Sequence, residues 1–370
     1  MKNISHTKLV LIAYLFMSST ACSGGTNDAP AINAKISATA GEGGGFVVLP
    51  PGIYMIDAVN TPIRMQSNVF LVLSPGAVLQ AITNSAANYA VVQAIGVSNS
   101  GIYGGAIVGD RATHTGTTGE WGFGIDLESV TNFTISGVNI SNCWGDGIYV
   151  SDNNNPQTPS RGVWISGIVS DNNRRQGLSG IAWVGGSISG STFSNTNGTA
   201  PSAGIDLEPN LSTEQVSGIS ISENEFLNNA GSGINLLAYT AGNMIFNNTF
   251  SGNRRGLWVE GSSNNTIMNN TIVDNQAGGV NVLPSSSYNT VNFNVFSNNN
   301  TASLQSDGVY INSNKNIVLK NSFNSQNDYM GLNIAPNAIS NYSLGNAFSG
   351  SFTSLPFVNA GSGTVVVNGF

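Results

Sequence analysis

A glycine followed by an aliphatic residue, any residue and a further apolar residue recurs at Gly124, Gly147, Gly204, Gly233, Gly256, Gly279, Gly308 and Gly331, with a degraded copy at Gly177. The intervals are 23, 30, 27, 29, 23, 23, 29 and 23 residues: one 23-residue unit with insertions of 7, 4, 6 and 6. The surplus maps onto polar stretches such as Asn153–Ser160 (NNNPQTPS) and Pro209–Glu214 (PNLSTE). A fixed period of this length marks a stacked array, in which each unit covers its apolar face only against its neighbours.

Inside the unit, "NMIFNNTFSGNRRG", "NTIMNNTIVDNQAGG" and "NIVLKNSFNSQNDYMG" share short alternating apolar runs separated by Asn and Gly. These two residues tolerate left-handed backbone, and Asn bonds to backbone in turns. Helical periodicity is missing from all of it. Three short strands per coil, stacked coil on coil, give a single all-β parallel β-helix. Asn247, Asn248, Asn269, Asn270 and Asn321 fall at similar places in their coils, and they are expected to form structural ladders in the turns. The ends of such a solenoid need covering. Ala29 to Ala40 (APAINAKISATA) is expected to be a short amphipathic cap helix, and the tail from Ala335 onward loses the period and is expected to close the other end. With 40% apolar and only 8% charged residues, the chain does not have the composition of a disordered one.

Residues 1–22 combine Lys2 and Lys8, the apolar run Leu9 to Met17 and small residues up to Cys22, which reads as an export signal too short to span a bilayer as a helix. The small residues before Cys22 fit a bacterial lipoprotein signal, with lipid on Cys22, although Ser19 stands where Leu is usual. Residues 23–28 read as a tether, and 29–370 as the β-helix domain. The expected location is outside the cytoplasm: periplasmic, anchored to the outer membrane, or extracellular. Cys143 then stands alone, as a buried structural thiol. Removing two lysines with the signal takes the net charge from −7 to −9, which disfavours nucleic acid and leaves a lipid on Cys22 as the one expected route to a membrane.

"GEGGGFVVLPPGIYMI" (41–56) followed by "MQSNVFLVLSPGAVLQAI" (65–82) resembles the opening coils of the pectate-lyase-like and polygalacturonase-like right-handed parallel β-helix superfamily. The resemblance covers about residues 30–340. It implies that fold, capped at the ends, and a polysaccharide or oligosaccharide as substrate, with a monomer or a trimer as the assembly. The reaction does not carry over. "WGDGIYV" places Asp146 like the first acid of a polygalacturonase, but the following coils, "RRQGLSG" and "SAGIDLE", have neither its Asp pair nor its His. The calcium-binding acids and Arg base of pectate lyases have no counterpart here, so calcium stays an open expectation.

Residues the scaffold does not need gather in "GDRATHTGTTGEWGFGIDLE" (109–128): Asp110, Arg111, His114, Glu120, Trp121, Asp126 and Glu128. His114 is the only histidine outside the signal. The next coil adds Trp144, Asp146, Tyr149 and Asp152, and the one after it Arg174 and Arg175. "GIDLE" recurs at 204–208. Strand alternation sends Ile and Leu inward and Asp and Glu outward in both copies. Tyr149 is expected beside Asp126, and Asp206 with Glu208 roughly 14 Å along the axis. Trp258 and Glu260 repeat the outward pattern after Arg254 and Arg255.

Three functions compete. The leading expectation is a lyase that removes the C5 proton of a uronate, or an epimerase using the same step, with His114 as base, Tyr149 as acid and Arg111, Arg174 or Arg175 neutralising the carboxylate. The second is a glycoside hydrolase drawing two carboxylates from Asp126, Glu128, Asp146 and Glu120; a separation of about 5 Å implies retention and roughly 6.5 to 9.5 Å inversion. The third is a non-catalytic polysaccharide-binding or surface protein. Trp121, Arg111, Arg174, Arg175, Asp206, Glu208, Trp258 and Glu260 are the expected substrate contacts in the enzymatic readings.

Overall fold

The computed structural model describes residues 27–153 and 158–367. The export signal, Cys22 and all of the tether except its last two residues lie outside the described residues. The chain runs repeatedly through three parallel sheets of 14, 12 and 12 strands, visiting each sheet in turn so that consecutive coils are neighbours in every sheet. One coil reads Thr131–Ser136 in the first sheet, Asn139–Ser141 in the second and Ile148–Ser151 in the third. All strand pairs in the three ladders are parallel. The insertions that break the 23-residue period leave the register untouched because they lie in turns: Tyr149 pairs with Asp126 across a short coil and with Ser179 across a long one.

The recurring glycine has a steric cause. Gly124, Gly147, Gly177 and their successors lie at or near the start of the inward-and-outward alternation in the third sheet, with the next coil packed against them. A Cβ on Gly256 would lie 2.6 Å from the Gly279 carbonyl oxygen and 2.7 Å from Ile272 Cγ2. A Cβ on Gly308 would meet the Gly331 carbonyl at 2.7 Å in the same way. The second sheet fills the space that remains with one inward row, Phe193, Phe226, Phe250, Ile272, Phe296, Phe323 and Phe348. Its rings stack at 4.7–5.4 Å.

Three asparagine ladders run along the corners. The first links Asn224, Asn248, Asn270, Asn294, Asn321 and Asn346; the second, Asn229, Asn253, Asn275 and Asn299; the third, Asn243, Asn265, Asn289, Asn316 and Asn341. Each member closes the turn of its own coil on the next. Asn248 Nδ2 donates to the Ile221 carbonyl at 2.9 Å and to Asn270 Oδ1 at 3.0 Å, while its Oδ1 accepts from the backbone and side chain of Asn224. Of the five asparagines singled out from the sequence, Asn248, Asn270 and Asn321 are rungs. Asn247 and Asn269 instead supply the left-handed residue before the rung, with φ of 56° and 53°. Cys143 heads the second ladder, buried and free, its N–H bonded to Asn173 Oδ1.

The helix Ala29–Gly41 lies over the first coil, burying Ala29, Ile32 and Ile36. The other end differs from expectation. After Ala335 the three sheets simply continue through Tyr342–Leu344, Ala347–Gly350, Phe357–Asn359 and Val365–Val367, which add another coil instead of a lid. The loss of sequence period there reflects exposure: all three valines of the last strand face solvent, so the inward pattern is no longer required.

Replacing Asn248 by Ala strands the Ile221 carbonyl and the Asn224 N–H in the interior, while Asn270 Oδ1 keeps the backbone N–H of residue 248. About 3 kcal/mol of stability should be lost. Asn247→Ala, on the surface, should cost about 1 kcal/mol through its left-handed φ alone. Thermal melting of the two variants measures the difference, and equal losses would contradict the ladder as the stabilising element.

Candidate active site

The third sheet carries an outward row that changes identity at every coil: Gln93, Asp126, Tyr149, Ser179, Asp206, Asn235, Trp258, Asn281 and Tyr310. Neighbours in this row are one strand spacing apart, about 4.8 Å. Two clusters form along this row.

The first is a cavity of about 360 Å³ lined by Asn88, Gln93, Trp121, Asp126, Glu128 and Tyr149, together with Phe123. Strand Trp121–Glu128 supplies four of these. Ile125 and Leu127 point into the core, so Asp126 and Glu128 share the outer face two residues apart. Asp126 is nevertheless only 4% exposed. Gln93 Nε2 donates to its Oδ2 at 3.1 Å, and its Oδ1 has no hydrogen-bond partner among the described residues. Burial pushes the Asp126 carboxyl up to about 6, with Gln93 offsetting part of the effect. Glu128 is pushed up to about 7 by desolvation first and then by the charges of Asp126 and Asp152. Tyr149 stacks on Phe123 with 4.5 Å between centroids, and burial lifts its phenol to about 12. Trp121, 48% exposed, forms the open wall.

The second cluster is built on one guanidinium. Arg175 donates to Glu120 Oε2 at 3.1 Å, Asp146 Oδ2 at 3.1 Å and Glu208 Oε1 at 2.7 Å. Burial alone would lower Arg175, but Asp146 and Glu208 outweigh it and hold the guanidinium above its usual range. Asp146 is fully enclosed. Burial lifts it to about 7 even though Arg175 opposes the shift. Asp206, bonded to Gln176 Nε2 at 2.7 Å, is raised by burial and by Glu208. The second GIDLE is therefore no solvated acid pair: Asp206 lies under the surface and Glu208 is a strut for Arg175. Arg175 is itself the cation these acids share, and no group of three or more His, Cys, Asp or Glu side chains arranged to hold a metal occurs among the described residues.

Other expected site residues lie away from the groove. The His114 side chain is wholly enclosed: Nδ1 pairs with Asp110 Oδ2 at 3.0 Å, and the ring stacks on Trp144 at 4.0 Å, with Tyr89 on its other side and also bonded to Asp110. Nε2 faces Gly116, where even a Cβ would lie 2.7 Å away. The charged loop 109–120 is thus fastened to the coil by His114 and does not hold it out as a base. Arg174 lies 3.9 Å over the Trp144 ring and donates to the Gly119 carbonyl. Arg111 donates to Asn172 and Asn197. None of the three arginines is free to meet a substrate carboxylate at the cavity. Trp258 donates to Glu260 at 2.9 Å four coils beyond Tyr149, outside this cavity. Gln93, Asn88 and Phe123 were missed from the sequence, since nothing marks them except their register with Asp126 and Tyr149. Gln93 precedes Asp126 by 33 residues, so a 23-residue count back from Asp126 lands instead on Tyr103, in the first sheet.

Comparison with known proteins agrees with this architecture. The family described as "Right handed beta helix region" matches residues 123–305. The uncharacterized protein YclG of Bacillus subtilis is 29% identical over 238 residues; the match takes in 57% of this chain and only 41% of that protein's length. Among solved structures, the Azotobacter vinelandii mannuronan C-5 epimerase AlgE6 A-module superposes with a TM-score of 0.75 at 19% identity, covering 92% of this chain and 95% of the module. The Yersinia enterocolitica family 28 exopolygalacturonase does so with a TM-score of 0.70 at 14% identity, covering 93% and 76%. At these identities the likeness is one of fold.

Asp126, Glu128 and Asp146 all bind protons more tightly folded than unfolded. The stability they contribute is complete below about pH 4 and is lost as pH rises through 6 to 7. The melting temperature should therefore fall by several degrees between pH 5 and pH 8, and Asp126→Asn should flatten the slope. A melting temperature that climbs over this range would contradict the burial of these acids.

Proposed function

We propose that this right-handed parallel β-helix protein is a polysaccharide-active enzyme that hydrolyses a glycosidic bond in the cavity of Asp126, Glu128 and Tyr149. The observation that carries the reading is a pair of carboxyls on one strand face, with proton affinities raised to different extents, beside an exposed indole on which a sugar ring can stack. Between about pH 6 and 7 Glu128 keeps its proton while Asp126 has lost its own. Glu128 then donates a proton to the leaving glycosidic oxygen as the bond breaks, and the Asp126 carboxylate, its Oδ1 without a partner among the described residues, stabilises the positive charge developing at the anomeric carbon; a water molecule adds to that carbon and gives its proton to the Glu128 carboxylate, which restores the acid. Tyr149 stays protonated and acts as a hydrogen-bond donor to the sugar. The two structural relatives above are an epimerase of mannuronan and an exopolygalacturonase, both enzymes of polysaccharides, which supports the substrate class.

Elimination receives less support. Its base would have to be His114, which is walled in, or Tyr149, whose phenol is held far above neutrality, and Arg111, Arg174 and Arg175 are all engaged. Action outside the cytoplasm belongs to the same proposal and rests on the signal at residues 1–22.

Against a panel of bacterial and plant polysaccharides, the protein should release reducing ends without the ultraviolet absorbance of an unsaturated sugar, and its rate should form a narrow bell between about pH 6 and 7. Asp126→Asn and Glu128→Gln should each lower kcat by about 10²–10⁴. Trp121→Ala should raise KM with less effect on kcat. Unsaturated products that survive both carboxyl substitutions would overturn the hydrolytic reading.

A further inference from the structure

A second cavity, of about 310 Å³, opens on the same sheet face and includes Arg254, Arg255, Trp258, Glu260, Asn235 and Pro201 in its walls. Along the outward row it begins at Asn235, three strand spacings beyond Tyr149, and reaches Trp258 at the fourth, or about 14 to 19 Å at the usual strand separation. Its chemistry inverts that of the first cavity. Two adjacent guanidinium groups line it in a chain of net charge −7, and neither makes an ion pair among the described residues. Arg255 lies 4.4 Å over the Trp258 ring, and its Nε–H has no acceptor among the described residues. Glu260, the one carboxylate in the wall, accepts from the Trp258 indole and leaves the cavity with a surplus positive charge. Burial and then the neighbouring charge of Arg254 both disfavour the charged form of Arg255, a cost that a bound anion removes.

We infer that this cavity binds an anionic sugar residue, with the ring against Trp258 and its carboxylate or sulfate ester on Arg254 and Arg255. The inference deepens the hydrolytic reading, on which its place as a remote subsite rests. Between the two cavities stand Asp206 and the acids that consume Arg175, so a charged sugar is disfavoured near the scissile bond and accommodated several units away. The substrate class that fits is a heteropolysaccharide in which only some sugars of the repeat are acidic.

The test reads binding alone. In ¹⁵N spectra of the protein, the Trp258 indole signal, assigned by its loss in Trp258→Phe, is followed during titration with sodium glucuronate, sodium sulfate, glucose and sodium chloride at matched ionic strength. We expect a saturable shift with glucuronate, with sulfate or with both, and none with glucose or chloride. Saturation by glucuronate alone assigns a uronate, and saturation by sulfate alone a sulfate ester. The Arg254→Gln/Arg255→Gln variant, checked for an unchanged melting temperature, should weaken the anion about tenfold or more, and Arg255→Lys should retain much of it. Should the double variant melt early, Arg254→Gln alone, on an exposed side chain, must still weaken the anion. No saturable shift with either anion, or undiminished binding after Arg254 and Arg255 lose their charge, overturns the inference. Loss of hydrolytic activity would leave it standing, and failure of anion binding would leave the Asp126–Glu128 chemistry untouched.

Discussion

Everything in this molecule depends on the parallel strand spacing between identical positions of successive coils. At about 4.8 Å a side chain meets its own counterpart one coil on, and only residues that pair well with themselves can be buried there repeatedly. Asn does so at the corners, because its amide donates to one neighbour and accepts from the other while also closing a turn. Phe does so in the second sheet by offset stacking, and Gly at the head of the third sheet lets the coils approach. The same rule explains the distribution of charge. A repeated carboxylate or guanidinium would repel its counterparts along the whole axis, so charged residues occur only where the row is broken.

The candidate site is such a break. In the C-terminal half the corners are occupied by Asn almost without exception, whereas toward the N-terminus Cys143, Thr196 and Ser191 take equivalent places and long loops leave the coil. There the outward row carries Asp126, Tyr149, Ser179 and Asp206 in succession. The scaffold gains nothing from burying these acids. Asp126, Asp146 and Asp206 each retain a carboxylate oxygen with no partner among the described residues, which costs free energy that a merely structural coil would avoid. Arg175 compensates part of it by joining three acids drawn from three different coils, and so fixes the loop bearing Glu120 to the strand face.

Much of this was legible in the sequence. The period of 23, its insertions, the outward Asp126 and Glu128, the neighbouring Tyr149 and the three-coil offset to the second GIDLE all follow from counting, because a parallel solenoid converts sequence interval into distance with one constant. His114 was misread for an equally physical reason. Clustering in sequence showed that loop 109–120 was unlike its surroundings, but the direction in which its side chains point is set by contacts with Asp110 and Trp144 that no count reveals. The arginines were misjudged similarly, since counting shows that they are near acids and not that the acids have already claimed them.

The sequence alone determined the architecture, since a repeat with self-pairing residues at fixed places has one way to bury them. It also determined which residues share a face, since strand alternation and register leave no freedom there. Only the tertiary structure decided burial, partner and protonation. Whether Asp126 stands in water or under Gln93 and Tyr149, and whether Arg175 is free or held by Glu120, Asp146 and Glu208, depends on how loops of unequal length fold back across the coils. Those loops obey no period, and they set the local dielectric and neighbouring charge that turn a row of acids into a site.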